Sequence, residues 1–186
     1  MPNMTVLAPK NDRELEEMLA FAVSFDGPIA IRYPRGSAHQ GLQEYQAPVE
    51  YGRSEIIRKG KKIAVLGVGS MIPSCMEICK GLKDDGYDPT FVNARFVKPL
   101  DVDLLDELAK DHSLFVTVEE NVKSGGYGEH VSAYMEACHP EIRVLSAAVW
   151  DRFVPQGNVE SLRSRIGLGV EDIRQAIEDS EELREQ

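Results

Sequence analysis

Arg32 and Arg35 close the stretch Gly27–Gly36 (GPIAIRYPRG), a short apolar run that stops at Pro34. In a parallel α/β sheet, ligands sit beyond the carboxyl ends of the strands. A guanidinium placed there offers a rigid fork of donors suited to phosphate or carboxylate. The ordinary alternative is a loop arginine paired with a carboxylate, and structural ion pairs outnumber sites. A second group lies at Glu119-Glu120-Asn121, which ends an apolar run and precedes Ser124-Gly125-Gly126-Tyr127-Gly128. Carboxylates at such an edge act as acids or bases when burial raises their pKa. The structural alternative is that Glu119 or Glu120 accepts amide hydrogen bonds and fixes the glycine loop. His130 falls in the first turn of the helix that follows, where a lone histidine is more often a surface or interface residue.

The other candidates are weaker. Gly67-Val68-Gly69-Ser70 lies between a strand and a helix, where phosphate-binding turns occur. The dinucleotide fingerprint requires a third glycine, and Ile72 stands in that place, so a tight turn is the better reading. Cys75 and Cys79 share a helix face, and Cys138-His139 would have to complete a metal site. Structural zinc uses closer pairs from turns, and these cysteines fall on apolar stripes, so they read as core residues. The segment Arg95–Asp101 (RFVKPLD) joins a strand to a helix, and its charges lie beside the Glu119-Glu120 loop if the two strands are neighbours. A structural salt bridge is expected there. Trp150–Gly157 (WDRFVPQG) mixes aromatics with a Pro/Gly turn, a pattern of subunit contacts.

These residues need a scaffold, and the composition supplies one. With 186 residues, 42% hydrophobic and 28% charged, the chain is long enough to bury a core. A net charge of −10 argues against nucleic acid as a partner while leaving room for one local basic pocket. No apolar run reaches the ~20 residues of a membrane helix, and the amino terminus lacks the layout of a signal peptide. Three cysteines without that signal point to a reducing, cytoplasmic setting.

Met4–Ala8 reads as a strand, 12–25 as a helix with Asn11 and Glu14 forming a capping box and Leu15, Met18, Leu19 and Ala22 inward, and Pro28–Tyr33 as a second strand. One β-α-β unit cannot be a domain, so its apolar edges need a cover. Residues 37–52 are aperiodic and polar, as in a linker. Ser54–Arg58 and Lys61–Val68 flank Lys59-Gly60 as in a hairpin. Helices and strands then alternate: a helix at 71–85 with Ile72, Cys75, Met76, Cys79 and Leu82 inward, a strand at 89–94, and a helix capped by Asp101. A strand at 113–118, a helix at 127–138 and a strand at 142–149 follow, then a helix capped by Asn158 and a last helix at 170–183. The fold class is α/β, a mostly parallel sheet with helices on both faces, preceded by an incomplete β-α-β piece.

Five motifs in order carry a resemblance: IRYPRG (31–36), ARFVKPLD (94–101), TVEEN (117–121), SGGYGEHV (124–131) and FVPQG (153–157). Together with the opening PNMTVLAPKNDREL they resemble the 1-deoxy-D-xylulose-5-phosphate synthase family. The resemblance covers the chain to about Ile177. It implies a longer, three-domain, transketolase-like enzyme using thiamine diphosphate and Mg²⁺. That enzyme condenses pyruvate with glyceraldehyde 3-phosphate, releasing carbon dioxide, for isoprenoid synthesis. Residues 1–47 would then be the tail of the pyrimidine-binding domain plus linker, and 48–186 the transketolase C-terminal domain. The partners implied are the remaining N-terminal domains of the same polypeptide and a second copy in a homodimer. No position matches the metal-binding motif, the cofactor-activating glutamate or the catalytic histidines. The resemblance therefore assigns no catalytic, cofactor-binding or metal residue here, no cofactor bound to this chain, and no activity to the chain alone. It does assign Arg35, with Arg32 as a neighbour, to the phosphate of the aldehyde substrate. The alternatives are the C-terminal part of a transketolase or of a 2-oxoacid dehydrogenase β subunit, and a non-catalytic dimerisation module.

Overall fold

The computed structural model describes residues 2–182. The unbroken apolar run at its centre is β4 (Lys62–Gly67), and it is buried on both faces. Because strand side chains alternate, Ile63 and Val65 face one way and Ala64 and Leu66 the other. The first pair packs on α2 (Ile72–Asp84) and α6 (Val170–Glu182) through Ile78, Leu82, Ile173 and Ile177. The second pair packs on α3 (Val102–Leu108) and α4 (Tyr127–Cys138) through Leu105, Leu108, Val131 and Met135. The sheet order is β3-β5-β4-β7-β8, with β3 at Glu55–Arg58, β5 at Thr90–Asn93, β7 at His112–Val122 and β8 at Arg143–Val149. All pairs are parallel except β3 with β5. Two faces covered by helices are what a parallel sheet requires.

A smaller sheet of order β2-β1-β6 carries the amino-terminal unit. Strands β1 (Thr5–Leu7) and β2 (Ile29–Ile31) are parallel and joined by α1 (Asp12–Ser24). On the other side of β1 lies β6 (Phe96–Lys98), antiparallel, from within the main α/β unit. The cover that the β-α-β unit needs on the β1 side is thus supplied by the same chain. Fully buried apolar side chains in this small core are few: Leu7, Met18 and Phe96. That is too little for independent stability, and Phe96 belongs to the larger unit. Phe21 meets Phe96 edge-on with ring centres 6.0 Å apart, and Phe25 stacks on Tyr51 at 5.5 Å.

Several local expectations are corrected. Lys59-Gly60 is not a hairpin turn: β3 pairs with β5 rather than β4. The strand β6 was hidden because three residues before a proline carry no periodicity. In α1 the buried positions are Glu14 and Met18, while Leu19 is exposed. In α2, Ile78 rather than Met76 faces the core. Cys75 and Cys79 are buried as read, but Cys138 is exposed at the end of α4. Residues 37–52 form no regular element, yet they are packed: Leu42 and Tyr45 join the main core and Val49 the small one.

Candidate functional site

The carboxyl end of β2 runs into Arg32-Tyr33-Pro34-Arg35, which forms one side of a cleft of about 600 Å³. Pro9, Lys10 and Asn11 form its floor, His39 a rim, and Ser70, Pro73 and Arg163 the far wall. The far wall belongs to the larger unit, so the cleft is shared between the two sheets. Arg35 is exposed, and among the described residues it has no hydrogen bond or ion pair. Arg32 is only partly buried and donates from Nη2 to the carbonyl oxygen of Glu120 at 3.0 Å. That bond ties the end of β2 to the end of β7.

Glu119 and Glu120 point to opposite faces of β7, as adjacent strand residues must. Glu119 is fully buried. It accepts the backbone N–H groups of Tyr127 at 3.0 Å and Gly128 at 2.8 Å, at the amino end of α4. A carboxylate satisfies orphan donors there and complements the helix dipole. This is the structural reading of the Glu119-Glu120 pair, realised by Glu119. Gly128 is required by space: a Cβ would collide with the hydroxyls of Ser146 and Thr117. Glu120 instead faces the cleft wall. It accepts from Ser70 Oγ at 2.9 Å, and from Arg163 Nε and Nη2 at 3.1 Å each. Burial pushes its carboxyl up, but Arg163, Ser70 and Arg32 outweigh this, and its pKa lies below the usual carboxylate value.

The turn Gly67–Ser70 is the tight turn it was read as. Gly69 has φ +50 and sits against Ala8 just after β1, where a Cβ would lie 3.0 Å from the Ala8 Cβ. The glycine thus lets the two units touch. His130 is exposed, away from the cleft lining. Trp150 and Phe153 are exposed beyond β8, which is paired on one side only.

Beneath the cleft floor lies a cluster that sequence reasoning missed. Lys10 Nζ contacts Glu14 at 2.9 Å and Glu55 at 2.7 Å. Arg95 contacts Glu14 at 2.6 Å and Glu55 at 3.2 Å, and donates to the carbonyls of Ala47 and Pro48. Asn93 donates to Glu14 at 2.8 Å. Two cations and two carboxylates balance, and all are buried. Burial pushes the Glu55 carboxyl up, but Lys10, Arg95 and Asn93 bring it below its ordinary value. Arg95 therefore does not pair with the Glu119-Glu120 loop, because β4 separates β5 from β7. One signal was readable: Glu14 shares a helix face with Met18, an unusual place for an unpaired carboxylate. The capping box is also shifted: Asn11 accepts from Glu14 N–H as expected, but Glu14 reaches back to the N–H of Lys10.

With this geometry in hand, comparison with known proteins decides the family. The model of the transketolase C-terminal domain matches residues 52–173, more than half of the chain. The chain belongs to the transketolase C-terminal domain family. It is 43% identical over 174 residues to a 1-deoxy-D-xylulose-5-phosphate synthase of Lachnoclostridium phytofermentans, covering 93% of this chain and 28% of that enzyme. A synthase of the same name from Dictyoglomus thermophilum is 40% identical over 178 residues, covering 95% and 29%. The chain thus spans under a third of these relatives' length, in their C-terminal part. Among solved structures, a split-gene transketolase described as an inactive β4 tetramer superposes with a TM-score of 0.86 at 28% identity. That match covers 96% of this chain and 57% of the other. No helix among the described residues is long and apolar enough to cross a membrane.

Proposed function

We propose that this chain supplies the acceptor-phosphate grip and the transketolase C-terminal domain of a 1-deoxy-D-xylulose-5-phosphate synthase. That enzyme condenses pyruvate with glyceraldehyde 3-phosphate and releases carbon dioxide. The observation that carries the reading is Arg35, an unpaired guanidinium in a cleft at a strand's carboxyl end. The curated relatives are named for a phosphorylated product, 1-deoxy-D-xylulose 5-phosphate, which is consistent with a phosphate grip. Thiamine diphosphate generates the carbanion in such enzymes, and a protein orients the acceptor. A grip on a remote phosphate contributes binding energy that positions the aldehyde carbon.

Among the described residues, no three His, Cys, Asp or Glu side chains converge as a metal would require. We assign the metal and diphosphate to other parts of a longer enzyme, because the chain spans under a third of its curated relatives' length. Residues 1–47 serve as the tail of the pyrimidine-binding domain plus linker, and 48–186 as the transketolase C-terminal domain. The exposed loop after β8 is the contact with a second copy in a cytoplasmic homodimer.

The test compares glyceraldehyde 3-phosphate with glyceraldehyde by titration calorimetry on this chain. The phosphorylated aldehyde should bind selectively. Arg35→Ala should weaken it about 10- to 100-fold, the loss of a charge-assisted contact. Equal affinity for both aldehydes would refute the reading. The chain alone should not turn over pyruvate with the aldehyde, and measurable turnover would refute its division of labour.

A further inference from the structure

Arg163 shares the cleft with Arg35 but comes from α5 (Val159–Arg165), in the other unit. Its Nε and Nη2 edge is fixed by both oxygens of Glu120, at 3.1 Å each. Its Nη1 group has no hydrogen-bond partner among the described residues. The side chain is 23% exposed and lines the cleft. A guanidinium held on one edge is already oriented, so little rotamer entropy remains to be lost when the other edge binds. On the far side of Arg163 a second groove carries Glu77, Glu160, Glu171 and Asp172. Those carboxylates disfavour an anion in that groove, leaving the Arg35 side of Arg163 as the favourable one.

We infer that Arg163 is a second anion contact of the cleft, so that a phosphomonoester is gripped by one arginine from each unit, with Glu120 as the positioning residue that aims Arg163. This rests on the proposed role of Arg35 and extends it to the C-terminal domain. An ordinary structural role for Arg163, as the partner of Glu120, makes a different prediction. If only the ion pair matters, removing either member breaks the same contact and has the same effect. If Arg163 binds the anion, the two substitutions act in opposite directions, because Glu120→Gln removes a competing negative charge while its amide oxygen still accepts an Arg163 N–H and keeps the guanidinium aimed.

The experiment titrates inorganic phosphate into the wild-type chain and into Arg163→Gln, Glu120→Gln, Arg163→Lys and Arg35→Ala, in low-salt buffer, with thermal melts as the folding control. Arg163→Gln should weaken phosphate about tenfold. Glu120→Gln should bind as tightly as wild type or severalfold more tightly. Arg163→Lys, which keeps the charge but loses the fork, should fall between and serves if Arg163→Gln does not fold. Unchanged affinity in Arg163→Gln, or equal weakening by Arg163→Gln and Glu120→Gln, overturns the inference. If Arg35→Ala alone loses phosphate, the role of Arg35 stands without that of Arg163. If wild type shows no saturable phosphate binding, both fall.

Discussion

Arg95 and Arg35 carry the same guanidinium into opposite surroundings. Arg95 is 1% exposed and engages two carboxylates and two backbone carbonyls. Arg35 is exposed and engages no protein group among the described residues. The difference lies in what each electrostatic field is completed by. Around Arg95 the protein supplies all the counter-charge: Glu14 from α1 and Glu55 from β3 balance Arg95 and Lys10. Around Arg35 the protein leaves the counter-charge out, in a chain whose net charge is −10. A positive group without a carboxylate partner in so acidic a chain is the more informative observation. The two arginines are also mechanically linked. The Arg95 cluster fixes Lys10 and, through Ala47 and Pro48, the segment that follows the Arg35 arm. Completed charge holds the units together so that incomplete charge is held in place.

The contrast is most easily broken at its buried end. Arg95→Met leaves Glu14 and Glu55 in the interior with Lys10 as their only cation. Removing one member of a buried ion pair costs about 3–5 kcal/mol. The urea midpoint of this variant should fall accordingly, and hydrogen exchange should rise first in Thr5–Leu7, where β1 is held between β2 and β6. A loss under 1 kcal/mol would mean that water enters and that the cluster is not the lock. Glu119→Ala should come next. It removes a fully buried acceptor from the N–H groups of Tyr127 and Gly128. Hydrogen bonds to charged groups contribute about 1.5–3 kcal/mol, so a loss of about 2–3 kcal/mol is expected in the same urea assay. Exchange should then rise at the start of α4 rather than at β1. If both variants loosened the same segment, the amino-terminal unit would not be a separately locked body.

The layered α/β architecture was legible because β4, β7 and the helices that cover them are long and strongly patterned. The strand end bearing Glu120 was legible for the same reason, and the one before Arg35 from a short apolar run stopped by Pro34. The charge cluster was not, because its members lie at 10, 14, 55, 93 and 95, and only the fold brings these together. Apart from Glu14, each of them taken alone reads as an ordinary polar residue of a loop or strand. The small sheet was half legible: β1 and β2 follow from their apolar runs, but their partner β6 contributes three residues between a loop and Pro99. Arg163 was invisible as a cleft residue for a similar reason. The short helix α5 reads as amphipathic and solvated, and only the return of β7 places Glu120 against it.

His112 offers an intermediate case, a titratable group that is buried but kept neutral. Its ring contacts the Leu108 carbonyl at 2.8 Å through Nδ1 and Thr90 Oγ1 at 2.7 Å through Nε2. Thr90 Oγ1 also accepts the Gly60 N–H at 2.9 Å. Burial lowers the His112 pKa, opposed in part by the Leu108 carbonyl and Asp111. The native state therefore binds fewer protons than the unfolded chain just below the ordinary histidine value of about 6.5. This contribution is complete above about pH 6.5 and is lost as the pH falls through the native pKa. The midpoint of thermal unfolding should drop between about pH 7 and 5, and His112→Gln should flatten that part of the profile. The carboxylates of Glu55 and Glu120, held low, should lose their contributions only at more acid pH. An unchanged slope in His112→Gln would show that the ring binds protons equally in the folded and unfolded chain.

The smallest effect on stability is expected where the largest effect on binding is. Arg35→Ala removes a side chain with no partner among the described residues, so unfolding should shift by no more than about 0.5 kcal/mol. Its sign is informative. An arginine held in place by unseen packing would destabilise on removal, as Arg95 does. An arginine whose charge no carboxylate in the cleft compensates would leave stability unchanged or slightly raised when removed. Salt separates these cases, because repulsion among exposed charges is screened over about 8–10 Å at ordinary ionic strength. The difference between Arg35→Ala and wild type should therefore shrink from low salt to 0.5 M chloride if it is repulsive, and persist if it is packing. A destabilisation above 1 kcal/mol that survives salt would place Arg35 with Arg95, among the arginines the fold itself consumes.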